Sequence, residues 1–221
     1  MRKRSSSRWK SLARKLKISS RDLGYVAVFA MVSMIIASSA AYITLNPAPT
    51  EQFFAMWVLG SNGLAADYYP NNNSNLTINE SVNWTIGVNN HMSPLAYVVV
   101  RVKLLNSTTP GPDSSTGIPS PAATLIEFRR VLVDNETWSI PFVWEVSNVT
   151  TSGNYVKITT LVINGMPFSG NMARAESGLN YRLVFELWFF DPNTGQLSFS
   201  WTTQATMHVV WDQIWFNATY S

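Results

Sequence analysis

The chain predicts a mainly β protein, an Ig-like antiparallel β-sandwich carried on a single N-terminal transmembrane α-helix. Three observations lead there. No charged residue lies between Asp22 and Glu51. Beyond that gap, apolar residues recur with a period of two and never settle into a 3.6-residue period. Turn-forming clusters then cut the period-two sequence into seven or more short runs, the spacing of an all-β sandwich.

Four segments follow in order: a basic leader at 1–21, a helix at 22–45, a Pro-containing stalk at 46–51 and an outer domain at 52–221. Nine of the sixteen basic residues fall in the leader, among them Arg2, Lys3, Arg14, Lys17 and Arg21. Trp9, Leu12, Ala13 and Leu16 recur there at i, i+3, i+4 and i+7, a pattern for lying on a membrane surface; a disordered basic leader that only sets orientation is the alternative. Ser19 or Ser20 suits a helix cap, with Asp22 at the positive end of the helix dipole. Leu23 to Leu45 is 23 residues of apolar or small side chains, which at about 1.5 Å per residue spans a hydrocarbon core of roughly 30 Å. The positive-inside rule places the leader in the cytoplasm and everything after Asn46 outside.

Two processing routes compete with a retained anchor. Ser39-Ala40-Ala41 has the small residues a signal peptidase favours, although 19 residues from Leu23 to Ala41 exceed the usual apolar core of a signal peptide. A pilin-type cut after Gly24 has the basic leader but Leu23 where a charged residue is expected. Pro47 and Pro49 stop the helix. Within the outer domain Val82, Trp84, Ile86 and Val88 alternate with polar or small neighbours, and strand-like runs cover 52–59, 98–104, 124–133, 137–146, 155–163, 181–190 and 205–216. Ser61-Asn62-Gly63, Ser152-Gly153-Asn154, Asn164-Gly165 and Asp191-Pro192-Asn193 supply turns. Ser107–Pro121 reads as a long exposed loop and Gly165–Gly178 as an irregular insertion. The last run, ending in Trp211, Trp215 and Phe216, reads as the strand that closes the core, with a sticky docking edge as the alternative.

Composition narrows the function classes. The net charge of +3 averages two unlike regions, because residues 22–221 hold seven bases against all thirteen acids. The basic residues therefore sit beside the membrane, matching anionic lipid headgroups, and no nucleic-acid partner is expected. Cysteine is absent, so the outer domain relies on its core, for which nine Trp, eleven Phe and eight Tyr supply the material. With few carboxylates outside, the domain is expected to work outside an acid- or heat-loving archaeal cell.

Eight Asn-x-Ser/Thr sequons, at Asn72, Asn75, Asn79, Asn83, Asn106, Asn135, Asn148 and Asn217, all follow the helix. Nineteen Asn in this composition would give roughly four by chance, and the excess predicts N-linked glycans on an extracellular surface.

The run Phe54-Ala55-Met56-Trp57-Val58-Leu59-Gly60-Ser61-Asn62-Gly63-Leu64-Ala65-Ala66-Asp67-Tyr68-Tyr69-Pro70 resembles the opening of an uncharacterised archaeal membrane-protein family (domain of unknown function "sixteen-sixteen"). Asn75-Leu76-Thr77, Glu80, Ile86-Gly87-Val88 and Asn90-His91 continue the resemblance, as does Tyr181-Arg182-Leu183 with Phe185-Glu186-Leu187-Trp188. The resemblance covers two blocks. It implies a membrane-anchored archaeal envelope protein with a glycosylated Ig-like domain outside, and it brings no activity. The chain departs from the family in having one membrane helix where many members have several, and an extra Tyr in Asp-Tyr-Tyr-Pro.

Catalytic chemistry has little to work with. His91 and His208 are the only histidines, there is no thiol, and no Gly-x-Ser-x-Gly elbow occurs. The pairs His91-Met92 and Met207-His208 contain copper-type donors, with a structural turn as the plainer reading. Asp67, Glu127, Glu136, Glu145, Glu186 and Asp212 are candidates for a carboxylate pair, but Glu127 with Arg129 and Arg182 with Glu186 share strand faces and read as structural ion pairs. No catalytic, cofactor-binding or metal-binding residue is assigned, no cofactor is expected, and the chain is not expected to be an enzyme. The expectation is a single-pass, N-in, glycosylated binding or accessory protein of an archaeal cell envelope, docking on another membrane or surface protein. The alternative is a subunit of a surface assembly, a pilus-like filament or surface-layer stalk.

Overall fold

The computed structural model describes residues 20–46, 52–170, 172–203 and 205–219. The leader with its amphipathic pattern, the Ser19 cap and most of the Pro stalk lie outside the described residues. Contacts divide the chain into Met1–Thr50 and Glu51–Ser221, each considered by itself.

In the first unit, α1 runs over Ser20–Leu45, 26 residues with Asp22 in its first turn. It is long and apolar enough to cross a membrane, and its apolar side chains are exposed along its length, Phe29 at 75% and Leu45 at 79%. The hydroxyls within it bond back to the helix, Ser38 Oγ to the Ile35 carbonyl at 2.9 Å and Thr44 Oγ1 to the Ala40 carbonyl at 3.0 Å. Such back-bonding removes the cost of a bare donor in hydrocarbon. Asn46 closes the helix, donating Nδ2 to the Tyr42 carbonyl.

The second unit is mainly β. Its strands are β1 (Phe54–Leu59), β2 (Asn75–Thr77), β3 (Val82–Asn90), β4 (Leu95–Leu105), β5 (Thr124–Val133), β6 (Thr137–Ser152) and β7 (Tyr155–Ile163). These are followed by β8 (Met166–Ser169), β9 (Arg174–Glu176), β10 (Tyr181–Asp191), β11 (Gln196–Ser198), β12 (Ser200–Thr203), β13 (Thr206–Val209) and β14 (Trp211–Thr219). The first sheet has the order β1-β3-β6-β7-β8, with β9 also on β7; the second has β2-β14-β10-β4-β5, with β11 on β10. A small hairpin, β12-β13, stands apart.

Both sheets feed one core. The period-two pattern works as the sequence indicates: Val82, Trp84, Ile86 and Val88 are buried while Asn83 is exposed. Trp84 lies 5.0 Å from Trp144 within the first sheet, and Phe142 and Trp144 reach across to Phe185 at 5.3 Å and Phe216 at 4.8 Å. Tyr181 of the second sheet donates its hydroxyl to the Val156 carbonyl of the first at 2.5 Å, so the buried phenol is satisfied. Gly87 sits opposite Trp57, where an added Cβ would fall within 2.1 Å of the indole; only glycine lets that ring cross the strand.

Two expectations need correction. The domain is not wholly antiparallel, because β2 pairs β14 in parallel through Asn75↔Asn217 and Ala218↔Leu76. The segment 165–178 is not irregular: it contains β8 and β9, too short for any period to show. The loop 107–121 is exposed over most of its length, as expected, and is held down at buried Ser120 and by the Asp113–Ile118 bridge. The final run breaks into β13 and β14, and β14 lies inside the second sheet between β2 and β10 with Phe216 buried, as a closing strand should.

Candidate interaction face

The outward side of the second sheet is where the chain concentrates arginine and tryptophan. Register places Glu127, Arg101, Glu186 and Trp211 in one row across β5, β4, β10 and β14. Arg129, Val99 and Trp188 form the next row, and Val131 pairs with Tyr97 beyond it.

A loop covers one half of this face. Glu186 is fully buried and takes the Lys103 Nζ at 2.9–3.0 Å, the Ser120 backbone N–H at 2.8 Å and the Trp188 indole N–H at 3.0 Å. Lys103 also donates to the Ser120 carbonyl at 2.6 Å. A buried carboxylate is tolerable only with this kind of complete pairing. Arg182 holds the same loop through the Thr109 carbonyl at 2.6 Å and also bonds Gln213 Oε1 at 2.7 Å, while Trp211 donates to Ser114 at 3.1 Å. Arg182 and Glu186 therefore do not pair with each other. Each instead finds a partner on a neighbouring strand or on the loop, which one strand's spacing does not reveal.

The other half is open. Arg101 stacks over Trp188, 4.0 Å from the ring centroid, and donates to Glu127 at 2.8 Å. Arg129 bonds the other Glu127 oxygen. Arg129, with Arg101 behind it, holds the Glu127 carboxyl below the usual range, and Glu127 with Tyr97 raises the Arg129 guanidinium. Beside these charges Leu95, Val131 and Val133 are exposed at 50% or more.

The outward side of the first sheet is different in kind. There Asn83 pairs with Val143, Gly87 with Ser139 and Asn89 with Thr137, and Asn148 is exposed after a bulge in β6. Of the sequons, Asn72, Asn75, Asn79, Asn83, Asn135 and Asn148 are exposed. Asn72, Asn79 and Asn135 occupy left-handed turn positions, with φ of 55°, 64° and 60°, which Asn tolerates. The other two are engaged. Asn106 donates Nδ2 to the Arg174 carbonyl and accepts from Thr108 and Thr109. Asn217 donates to Asn75 Oδ1 at 2.7 Å and accepts the Asn180 N–H. No sequon lies on the strands of the open Arg-Trp half; Asn135, in the turn after β5, borders it.

The candidate carboxylates do not assemble. Glu127, Glu136 and Glu186 each hold a basic partner, Glu136 through Arg130 at 2.7 Å, and Asp67 bonds Asn62. Asp212 lies opposite Phe185, where burial raises its carboxyl above the ordinary range despite the Gln213 and Val58 backbone N–H bonds. His91 stacks on Phe53 and His208 on Trp201, with Thr203 Oγ1 at 2.6 Å from His208 Nε2. Among the described residues no group of three or more His, Asp or Glu is placed to hold a metal. Sequence reasoning missed the Lys103–Glu186–Ser120 clamp; the one signal available was two charged residues inside apolar strand runs.

No family model matches the chain, and no curated protein does. Solved structures similar to part of it include a β-glucosidase from Listeria innocua in complex with isofagomine, at 12% identity and a TM-score of 0.36, over 79% of this chain and 17% of that one. Another is the Pseudomonas fluorescens alkylpurine DNA glycosylase AlkC bound to DNA, at 15% identity and a TM-score of 0.27, over 75% of this chain and 42% of that one. A β-glucosidase from Kluyveromyces marxianus gives 8% identity and a TM-score of 0.28 over 80% and 17%. Scores this low carry no argument about fold or activity.

Proposed function

We propose that the chain is a single-pass, N-in protein of an archaeal cell envelope whose extracellular Ig-like β-sandwich is N-glycosylated and binds another membrane or surface protein through the open Arg-Trp half of its second sheet. The observation that carries this reading is the contrast between the two outward faces. One bears the exposed sequons Asn83 and Asn148, set among Ser139, Thr137, Val143 and the Trp57 ring. The other presents Arg101, Arg129, Trp188 and Tyr97 beside exposed Leu95, Val131 and Val133. Trp, Tyr and Arg are the residues enriched at protein interfaces and their hot spots, whereas a glycan needs a face that stays in solvent.

The sandwich reading draws on β10 flanked by β4 and β14, and on β3 flanked by β1 and β6. One departure from the immunoglobulin constant order is plain: β7 follows β6 both in the sheet and in the chain, whereas that order reverses the two. The uncharged helix with nine bases before it supports the N-in anchor. Nothing in the dispersed carboxylates and stacked histidines favours catalysis.

Mild-detergent extraction of the native protein, followed by sizing and mass spectrometry, tests the reading. A discrete complex with a second envelope protein, lost on Trp188→Ala, is the expected result. Recovery of filaments built from this chain alone overturns it in favour of a surface assembly. N-terminal sequencing of the same material shows whether α1 is retained.

A further inference from the structure

The free edge of the second sheet carries a separate inference. Its last strand, β5, is ten residues long, contains no Pro or Gly, and among the described residues pairs only with β4. A long unpaired edge is a template for another strand, and proteins that must stay single commonly blunt such an edge with Pro, shortness, a bulge or charged side chains; β5 does carry charge, but Glu127 and Arg129 are of opposite sign and can complement a second copy. Here the one bulge lies at the start of β5, between the Val102 and Lys103 positions of β4, and leaves Glu127–Val133 regular.

We propose that two copies of this chain join through β5, antiparallel and two-fold symmetric about Phe128, to make one continuous sheet. Three observations lead to this register. The first is the direction of the backbone groups. Asp134 donates its N–H to the Pro94 carbonyl at 3.1 Å, which makes 134 and 94 a hydrogen-bonded pair of the β4–β5 ladder. Antiparallel pairs alternate, so Phe128 and Arg130 turn their N–H and C=O toward β4, while Glu127, Arg129 and Val131 turn theirs outward. At Val133 the outward groups are already used by Glu136, through its side chain at 3.0 Å and its N–H at 3.1 Å, so the free stretch ends there.

The second observation is that pairing about Phe128 sets outward-turned residues against one another. Glu127 meets Arg129 of the second copy, Arg129 meets its Glu127, and each can donate and accept across the junction. Phe128 meets Phe128 as a non-bonded pair, and all partners stay on matching faces.

The third observation is charge, which selects this register over its neighbours. A slip of one residue sets outward-turned groups against groups committed to β4 and mismatches the faces. A slip of two brings either Glu127 opposite Glu127 or Arg129 opposite Arg129, and like charges directly opposite are unfavourable. Only the Phe128-centred register sets unlike charges opposite each other twice. An isologous contact of this kind closes on itself and does not propagate.

The test uses the full chain in detergent, where native mass spectrometry is expected to give a dimer. Because the chain has no cysteine, a single introduced thiol reports one inter-copy distance. Oxidised Phe128→Cys is expected to give a disulfide dimer, since Cα atoms of a non-bonded antiparallel pair lie about 4.5 Å apart, within disulfide range. Val131→Cys, more exposed but offset from its own symmetry mate by most of the strand, is expected to stay monomeric under the same oxidation. Phe128 packs edge-on to Phe142, so charge exchange gives a second route that leaves it intact. Glu127→Arg is expected to weaken the dimer about tenfold or more, and Glu127→Arg with Arg129→Glu to restore it.

A monomeric wild type, cross-linking of Val131→Cys as readily as Phe128→Cys, or a charge exchange that fails to restore the dimer overturns the inference. It stands apart from the reading of the Arg-Trp face. A dimer that recruits no other protein supports the edge and sinks the face, and a complex holding one copy of the chain does the reverse.

Discussion

Replacing Lys103 with methionine strikes the tightest polar cluster in the second unit. Lys103 is 4% exposed and Glu186 is fully buried. The substitution keeps the length of the side chain and removes only the cation, leaving a carboxylate held by the Ser120 N–H and the Trp188 indole. Breaking a buried pair from one side costs about 3–5 kcal/mol. For a domain of this size that lowers the melting temperature by roughly 10 °C. Lys103→Met with Glu186→Gln removes both charges; the amide oxygen still accepts from Ser120 while the Trp188 indole N–H loses its acceptor, so the double variant is expected to lose about 2–3 kcal/mol, less than the sum of the two single changes. Urea unfolding of residues 46–221, which hold the core residues Phe54 to Ala218, measures all three. Hydrogen exchange supplies an independent readout: the Ser120 amide and its loop are expected to exchange faster in Lys103→Met. Additive losses, or a Lys103→Met shift below roughly 2 °C, would refute the reasoning that Glu186 is a coupled anchor for the loop.

Four further outcomes follow from other parts of the molecule. Gly87→Ala forces Trp57 from the strand and is expected to cost about 1–3 kcal/mol by urea unfolding, where a loss under about 0.5 kcal/mol would mean the indole moves freely. Trp188→Ala should weaken complex formation at least about tenfold, with binding in pull-down read alongside melting to separate the contact from the fold. Glycopeptide mass spectrometry should find Asn83 and Asn148 occupied and Asn217 empty, because the Asn217 amide is spent on Asn75 and Asn180. For pH, the Asp212 carboxyl is raised by burial in the folded state, so its ionisation opposes folding above that raised value and the penalty fades as pH falls toward the ordinary range. Asp212→Asn is therefore expected to be more stable than wild type at neutral pH, with the gain vanishing near pH 4. Asp113 works in the opposite sense. Hydrogen bonds from Ser115 and Thr116 hold it at about 2, so its contribution is full above about pH 4 and is lost progressively as pH falls to about 2.

The strands were legible where period-two alternation ran long enough to count. Thr124–Val133 and Tyr155–Ile163 match the observed β5 and β7 residue for residue. Three-residue strands such as β2 and β9 were not legible, because a period of two cannot be seen in three positions and their pairing comes from neighbours far along the chain. The candidate face was half legible. Glu127 beside Arg129 could be read from one strand, but Arg101 over Trp188 joins strands eighty-odd positions apart, and only register brings them together.

What the amino-acid order determined alone is everything that depends on local composition: an uncharged stretch of bilayer length, a basic flank, alternating strands, eight Asn-x-Ser/Thr sequons and the absence of thiols. These need no partner to be recognised, since hydropathy and side-chain period are properties of one segment. Tertiary structure decided which sequon amides are free, which carboxylate is buried, which face is left uncovered and which edge is unpaired. Each of those depends on what lies across a sheet or beneath a loop, and two strands with the same alternation become an edge or an interior strand according to their neighbours. Asn83 and Asn217 carry the same motif, yet one projects from the first sheet while the other is bound between β2 and the turn before β10.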